Sequence, residues 1–168
     1  MKHLLLLIAL TVSLVGFGQT KLGKTQRLSF SDNGKHYTVE FLRDNKVVVK
    51  WQNKKYYYVS GQKIHHAQGD FSGLLLNGNY IVENKKGDLI EKGHFKNGLK
   101  SGLWKKWHAN GQLKETVRYV KGIPVGTKKV YNEEGELVNT YKRKDNQWVS
   151  SEKLEEPVQE EVEEEVIE

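Results

Sequence analysis

Short runs of alternating apolar and polar residues cover most of the chain, and glycine or asparagine interrupts them. Alternation with a period of two is typical of a β-strand with one buried face. In the clearest run, Val117 and Tyr119 would share one face of a strand, and Arg118 would lie on the other. A helix is disfavoured, because glycine recurs about every dozen residues and each would cost about 1 kcal/mol in a helix interior. The pattern predicts strands over residues 103–108 and 112–120, and an all-β fold.

The alternation repeats with a fixed period of 24 residues. Glycines, leucines and aromatic residues recur at matching positions of successive units, and a period of about 20 to 50 residues is typical of repeat proteins. Each unit therefore predicts one antiparallel β-hairpin, with aromatic side chains of neighbouring hairpins stacked into one stripe. The repeated glycines are Gly78, Gly87, Gly98, Gly102, Gly111, Gly122, Gly126 and Gly135.

The turns of the hairpins have their own signals. Asn110 and Gly111 stand between two strand-like runs, and Asn-Gly predicts a type I′ turn in which both residues have positive φ. Gly98 and Gly122, each close to a second glycine, predict the turns at the opposite end of the units.

One consensus runs through these units: Phe/Tyr-x-x-Gly-x-x-x-Gly-x-Trp-x-x-Trp/Tyr-x-x-x-Gly-x-Leu. The best copy begins at Phe95 and ends at Leu113; the next begins at Tyr119 and has Lys128 where the first has Trp104. The consensus resembles the MORN-repeat variant found in many exported bacterial proteins. This resemblance implies a meander of hairpins in a single elongated, twisted sheet. Proteins with the repeat are often named as antitoxins of the YwqK type or as membrane-binding proteins.

The chain divides into four segments. Residues 1–18 combine a short basic start, an apolar run of 12 residues and small residues at the end, which predicts a cleaved signal peptide. An uncleaved anchor is the alternative, but the run is short of the roughly 20 residues that a spanning helix needs. Residues 19–68 are strand-rich without the period, and we expect a degenerate β-meander that continues the sheet. The repeats occupy residues 69–148, and residues 149–168 form an acidic tail.

Two alternatives in this division stay open. A domain boundary near residues 61–69 would separate the meander from the repeats. Export places the mature protein in the periplasm, the cell envelope or the extracellular space, whereas an antitoxin-like binder would stay in the cytoplasm.

The formal net charge of +6 conceals a strong asymmetry. Residues 19–150 contain 25 Lys and Arg against 12 Asp and Glu, a net charge of +13, whereas residues 151–168 contain nine Glu and one Lys, a net charge of −8. A block of like charge with few apolar residues predicts disorder. A short helix with valines on one stripe is an alternative. The other is a tail that folds back on the basic domain and competes with an acidic ligand.

Candidate catalytic residues are scarce. The absence of cysteine excludes disulfides, thiolate metal sites and a cysteine nucleophile. His65 and His66 are adjacent and would point to opposite faces of a strand. Glu91 and Glu115 recur with the repeat, which favours a solvated stripe over an acid/base pair. No phosphate-binding loop or nucleophile elbow is present. We expect no enzyme activity, no metal site and no cofactor.

The remaining candidate function is binding. Repeated aromatic and lysine positions predict a sheet face that binds a protein or an anionic envelope surface, either lipid or polysaccharide, through a peripheral contact rather than a spanning one. Nucleic acid is not an expected partner outside the cytoplasm. A structural scaffold recognised through the acidic tail is the alternative. The candidate binding residues are Trp104, Trp107, Tyr119, Tyr131, Lys105, Lys106, Lys128 and Lys129.

Overall fold

The computed structural model describes residues 25–44 and 52–151. This part of the chain forms one open antiparallel sheet of eleven strands and contains no helix, which confirms the all-β prediction. The predicted signal peptide and all but the first three residues of the predicted tail lie outside the described residues. The strands are β1 (Thr25–Asp32), β2 (Lys35–Leu42), β3 (Lys55–Ser60), β4 (Lys63–Gln68), β5 (Leu74–Asn84), β6 (Leu89–Lys96), β7 (Leu99–Trp107), β8 (Leu113–Val120), β9 (Ile123–Tyr131), β10 (Leu137–Lys144) and β11 (Gln147–Ser150).

The sheet follows the chain order except at one point. Its main path is β1-β2-β5-β6-β7-β8-β9-β10-β11, and every neighbouring pair is antiparallel. The β3–β4 hairpin branches from β5 through only two residue pairs, Tyr58 with Leu75 and Val59 with Leu74. Strands β1 and β2 thus extend the sheet of the repeats, and β3 and β4 leave it.

The two ends of the sheet use different turns. At the β7–β8 end, the amide of Gly111 donates to the carbonyl of His108, and φ is positive at Gly111 but not at Asn110. The hairpin prediction is confirmed here, but the predicted type I′ turn is wrong. The loop has three residues, a type I turn closed by a glycine in the left-handed region. The side chain of Asn110 instead accepts from the amide of Gln112.

Type I′ turns occur at the other end of the same hairpins. Both central residues have positive φ at Asn97–Gly98, at Lys121–Gly122 and at Asp145–Asn146, which are spaced by 24 residues. The amides of Gly98 and Gly122 donate to carbonyls one repeat unit away, those of Leu76 and Lys100 respectively. These bonds link successive hairpins, so the repeat is fixed in its backbone as well as in its side chains.

A β-bulge recurs once in each unit. The register shifts where His94 and Lys92 face β7, and again where Arg118 and Thr116 face β9. Gly102 lies in the first of these bulges with φ of 71°, a conformation that favours glycine. The bulges explain why a second glycine is needed in each unit besides the turn glycine.

Alternation along the strands defines two faces of the sheet. The covered face carries Phe95 and Trp104 and includes the core, with Val39 completely buried. The β3–β4 hairpin packs over the first strands of this face through Tyr57 and Val59. The opposite side, which carries Lys105 and Lys129, is called the open face below.

Candidate functional site

A row of aromatic rings crosses the covered face. Tyr80, Phe95, Trp104 and Tyr119 come from the successive strands β5, β6, β7 and β8. Ring centroids are 5.4 Å apart between Tyr80 and Phe95, 4.9 Å between Phe95 and Trp104, and 6.1 Å between Trp104 and Tyr119. Trp104 is 4% exposed, so it belongs to the core. The predicted aromatic stripe is confirmed over these four strands, and its central ring is not available to a partner.

The row contains a cation of its own. The ammonium nitrogen of Lys100 lies 3.7 Å from the ring centroid of Trp104, with Tyr119 and Tyr57 at 5.4 and 5.8 Å. It also pairs with Glu91, with 3.4 Å between Nζ and Oε1. Burial lowers the pKa of Lys100, and the charge of Glu91 opposes this shift. An arrangement of three rings and a carboxylate suits a cation, and here the chain's own lysine fills it.

Charges on the covered face are otherwise compensated. Lys106 lies opposite both Glu91 on β6 and Glu115 on β8, and its Nζ is 3.2 Å from Glu115 Oε1. The two recurring glutamates therefore alternate with lysines. One unit further on, Lys128 replaces the tryptophan and lies 4.2 Å from the ring centroid of Tyr141.

The open face has a different charge pattern. Lys92 on β6 lies directly opposite Lys105 on β7, Lys105 lies opposite Thr116, and Thr116 lies opposite Lys129. The three lysines are exposed. Like charges opposite each other on neighbouring strands destabilise a sheet by about 0.2–1 kcal/mol per pair. On this face the strands supply no carboxylate to offset that repulsion.

The excess of cations extends over the whole open face of β6 to β10. The strand positions that alternate onto it within the described chain include eight Lys or Arg and no Asp or Glu, and all eight cations are exposed. Their side chains surround a shallow groove that Leu103, Val125 and Tyr131 line together with Arg118. The eight cationic residues are Lys92, Lys96, Lys105, Lys114, Arg118, Lys129, Lys142 and Lys144.

The structure divides the predicted binding residues between the two faces. Trp104, Lys106, Tyr119 and Lys128 lie on the covered face, where each has an aromatic or charged neighbour. The others alternate onto the open face: Lys105, Trp107, Lys129 and Tyr131. The eight residues therefore do not form one surface.

The sequence interpretation missed most of the cations of the open face. Lys105 and Lys129 were found because they repeat, but Lys92, Lys114 and Arg118 have no lysine or arginine equivalent one unit away. Their common face follows only from the strand register. The alternation of polar residues along each strand was the available signal.

Comparisons and structural searches add no other site. No family model matches the chain, and neither the curated proteins nor the solved structures give a match. Across residues 25–44 and 52–151, no three His, Asp or Glu side chains are grouped so that they could hold a metal ion. The same residues contain no helix with the length and apolarity to cross a bilayer.

Proposed function

We propose that the chain is a non-enzymatic, exported module of MORN-like β-hairpins that binds an anionic partner through its open face. The partner is an acidic protein or an anionic envelope surface of lipid or polysaccharide. The observation that carries the proposal is the segregation of charge: the open face of β6 to β10 has eight exposed cations and no carboxylate.

The covered face provides an internal comparison. Both faces belong to the same strands, yet Glu91 and Glu115 lie only on the covered side, where Lys100 and Lys106 neutralise them. If the lysines served solubility alone, the carboxylates could equally have been shared between the two faces. A cationic surface without internal counter-charges is the electrostatic pattern that attracts an anionic surface or ligand.

Apolar and aromatic groups on the open face would add short-range contacts. Leu103, Val120 and Ile123 are between 44% and 52% exposed, and they lie among the cations. Trp107 and Tyr131 are half-buried at the far ends of β7 and β9. Lysines would supply long-range attraction, and these side chains would contact the partner once it is bound.

Export and the absence of catalysis are parts of the same proposal. The support for export is the signal-peptide pattern of residues 1–18. A non-enzymatic role is supported by the environment of Glu91 and Glu115, because their pairing with Lys100 and Lys106 leaves them poorly placed for proton transfer.

The test uses two anionic probes, vesicles containing phosphatidylglycerol and soluble polyglutamate, with phosphatidylcholine vesicles as the neutral reference. We expect binding to at least one anionic probe and to no neutral vesicle. Binding should weaken as salt rises, because the Debye length shrinks from about 10 Å at 0.1 M to about 3 Å at 1 M. Affinity that does not change with salt, or binding to neither anionic probe, would contradict the proposal.

A variant pair assigns the binding to the open face. Lys105→Gln/Lys129→Gln removes two open-face charges, and at about 1 kcal/mol per lysine the affinity for anionic vesicles should fall about thirtyfold. Lys63→Gln/Lys86→Gln removes two exposed lysines from β4 and the β5–β6 turn as a control. An equal loss in both variants would mean that net charge, rather than the open face, determines binding.

A further inference from the structure

We infer that the acidic C-terminal segment, residues 152–168, docks on the open face of its own chain and competes there with the anionic partner. This inference concerns regulation and rests on the proposed function only for its consequence. The docking itself is an intramolecular contact that can be measured without any partner.

Charge complementarity is the first argument. Residues 152–168 contain nine Glu and one Lys, a net charge of −8, and the open face of β6 to β10 has eight exposed Lys and Arg without a carboxylate. The segment contains most of the carboxylates that the covered face does not already neutralise: 12 Asp and Glu are spread over the 132 residues from 19 to 150. The chain thus carries one dense anionic segment and one dense cationic surface.

The position of the chain end is the second argument. Ser151 lies beside β10, in a recess that it lines together with Val138 and Thr140. Thr140 pairs with Lys129 and so belongs to the lysine row of the open face. The described chain therefore ends one strand away from the cationic surface.

The reach of the segment is sufficient. Seventeen residues follow Ser151, and an extended chain of that length spans up to about 56 Å at about 3.3 Å per residue. From β10 to β6, the farthest strand of the cationic surface, four strand spacings amount to about 19 Å. The segment can cross the entire surface and still leave residues to turn round the sheet edge.

The apolar residues of the segment match the floor of the face. Val158, Val162 and Val166 are interspersed among the glutamates. Leu103 and Val125 line the groove between the open-face cations. A segment of alternating acidic and apolar residues can therefore place carboxylates on the lysines and valines in the groove. An anionic vesicle or polyglutamate would need the same lysines, so docking would raise its apparent Kd by the reciprocal of the undocked fraction.

The direct test is carbodiimide cross-linking of the full chain, which joins a carboxylate to a lysine amine within contact distance. We expect links from the segment to Lys105, Lys129 and Lys92, and few to Lys63 or Lys86. The links should disappear at high salt. An equimolar mixture of chains with natural and heavy nitrogen distinguishes a contact within one chain from a contact between two copies. Links distributed evenly over all exposed lysines, or links mainly between chains, would overturn the inference.

A second measurement tests the competition. Replacing the nine glutamates of the segment by glutamine in the full-length chain should abolish the cross-links to the open face and strengthen binding to phosphatidylglycerol vesicles by about threefold or more. Glu133→Gln/Glu134→Gln, in the β9–β10 turn, is the matched control and should leave the links unchanged. The substituted glutamates are Glu152, Glu155, Glu156, Glu160, Glu161, Glu163, Glu164, Glu165 and Glu168.

The two measurements separate the two proposals. Cross-links to the open face without binding to either anionic probe would support docking and contradict the proposed function. Vesicle binding that is equal with and without the nine glutamates, together with absent cross-links, would support the proposed function and overturn docking.

Discussion

The indole ring of Trp104 on β7 lies against the backbone of Gly93 on β6, so closely that a methyl group at Gly93 would overlap the ring. The two residues explain each other: the largest side chain of the core occupies the space that glycine leaves on the adjacent strand. A glycine in the middle of a strand otherwise weakens it, so the aromatic row depends on this pair.

The pair predicts strong coupling in a double-mutant cycle. Trp104→Ala should destabilise the fold by about 3–5 kcal/mol, and Gly93→Ala by about 1–3 kcal/mol, because the added methyl forces the indole out of position. In the Trp104→Ala background, Gly93→Ala should cost almost nothing or stabilise the strand. Urea unfolding of the four chains measures the coupling, and additive effects would show that the ring does not rest on Gly93.

Two turn glycines with the same backbone conformation test how the β3–β4 hairpin is held. Gly98 and Gly111 have φ of 76° and 86°, and nothing lies near a methyl group at Gly111. At Gly98, a methyl group would lie 3.2 Å from the ring of Tyr56, and the carbonyl of Gly98 accepts from the amide of Tyr57.

Alanine at either position should show the backbone strain of the left-handed region, about 1–2 kcal/mol. Gly98→Ala should cost at least about 1 kcal/mol more, because the β3–β4 hairpin must also move. Urea unfolding compares the stabilities, and hydrogen exchange in β3 should rise for Gly98→Ala only. Equal behaviour of the two variants would mean that the hairpin is not seated on this turn.

The sequence predicted the hairpins well because a 24-residue period marks every unit independently. Gly102, Gly111 and Trp104 each recur or have an aromatic or glycine equivalent, and the β8 strand was predicted to within one residue. The turn type at Asn110–Gly111 was wrong because a single dipeptide does not determine loop length. Here the side chain of Asn110 bonds the next unit, donating to the carbonyl of Glu133, and φ at Asn110 is not positive.

The binding surface was less predictable for a geometric reason. Lys105 and Lys106 are adjacent in sequence, but alternation sends them to opposite faces, where Lys106 meets Glu115 and Lys105 meets Lys92. Only the register between strands shows this difference. Likewise, the partnership of Lys100 with Trp104 has no repeat signal, because the residue one unit later is Pro124.

Buried tyrosines predict a loss of stability at alkaline pH. Burial raises the pKa of Tyr57, Tyr80 and Tyr119 above the ordinary value of 10.0, because the phenolate would lose its hydration. The unfolded chain therefore releases these protons first as pH rises above 10.0. Their contribution to stability is complete below that pH and is lost above it, by up to about 1.4 kcal/mol per pH unit and residue.

The lowered pKa of Lys100 acts in the opposite direction, since stability from this group rises as the ammonium deprotonates in the fold. Three tyrosines outweigh one lysine, so the net change should be a fall. Urea unfolding from pH 8 to pH 11 measures it, and Tyr80→Phe should make the fall shallower. A stability that stays level above pH 10 in the unsubstituted chain would contradict the burial of these hydroxyls.

The most direct test of the open face as the binding surface is lysine acetylation of the unsubstituted chain, with and without vesicles of phosphatidylglycerol or soluble polyglutamate. Mass spectrometry then gives the acetylation rate of each lysine separately. The account predicts that the bound probe slows acetylation of Lys92, Lys105 and Lys129, and leaves Lys63 and Lys86 unchanged. Equal protection of all five lysines, or protection of Lys63 and Lys86 alone, would contradict it.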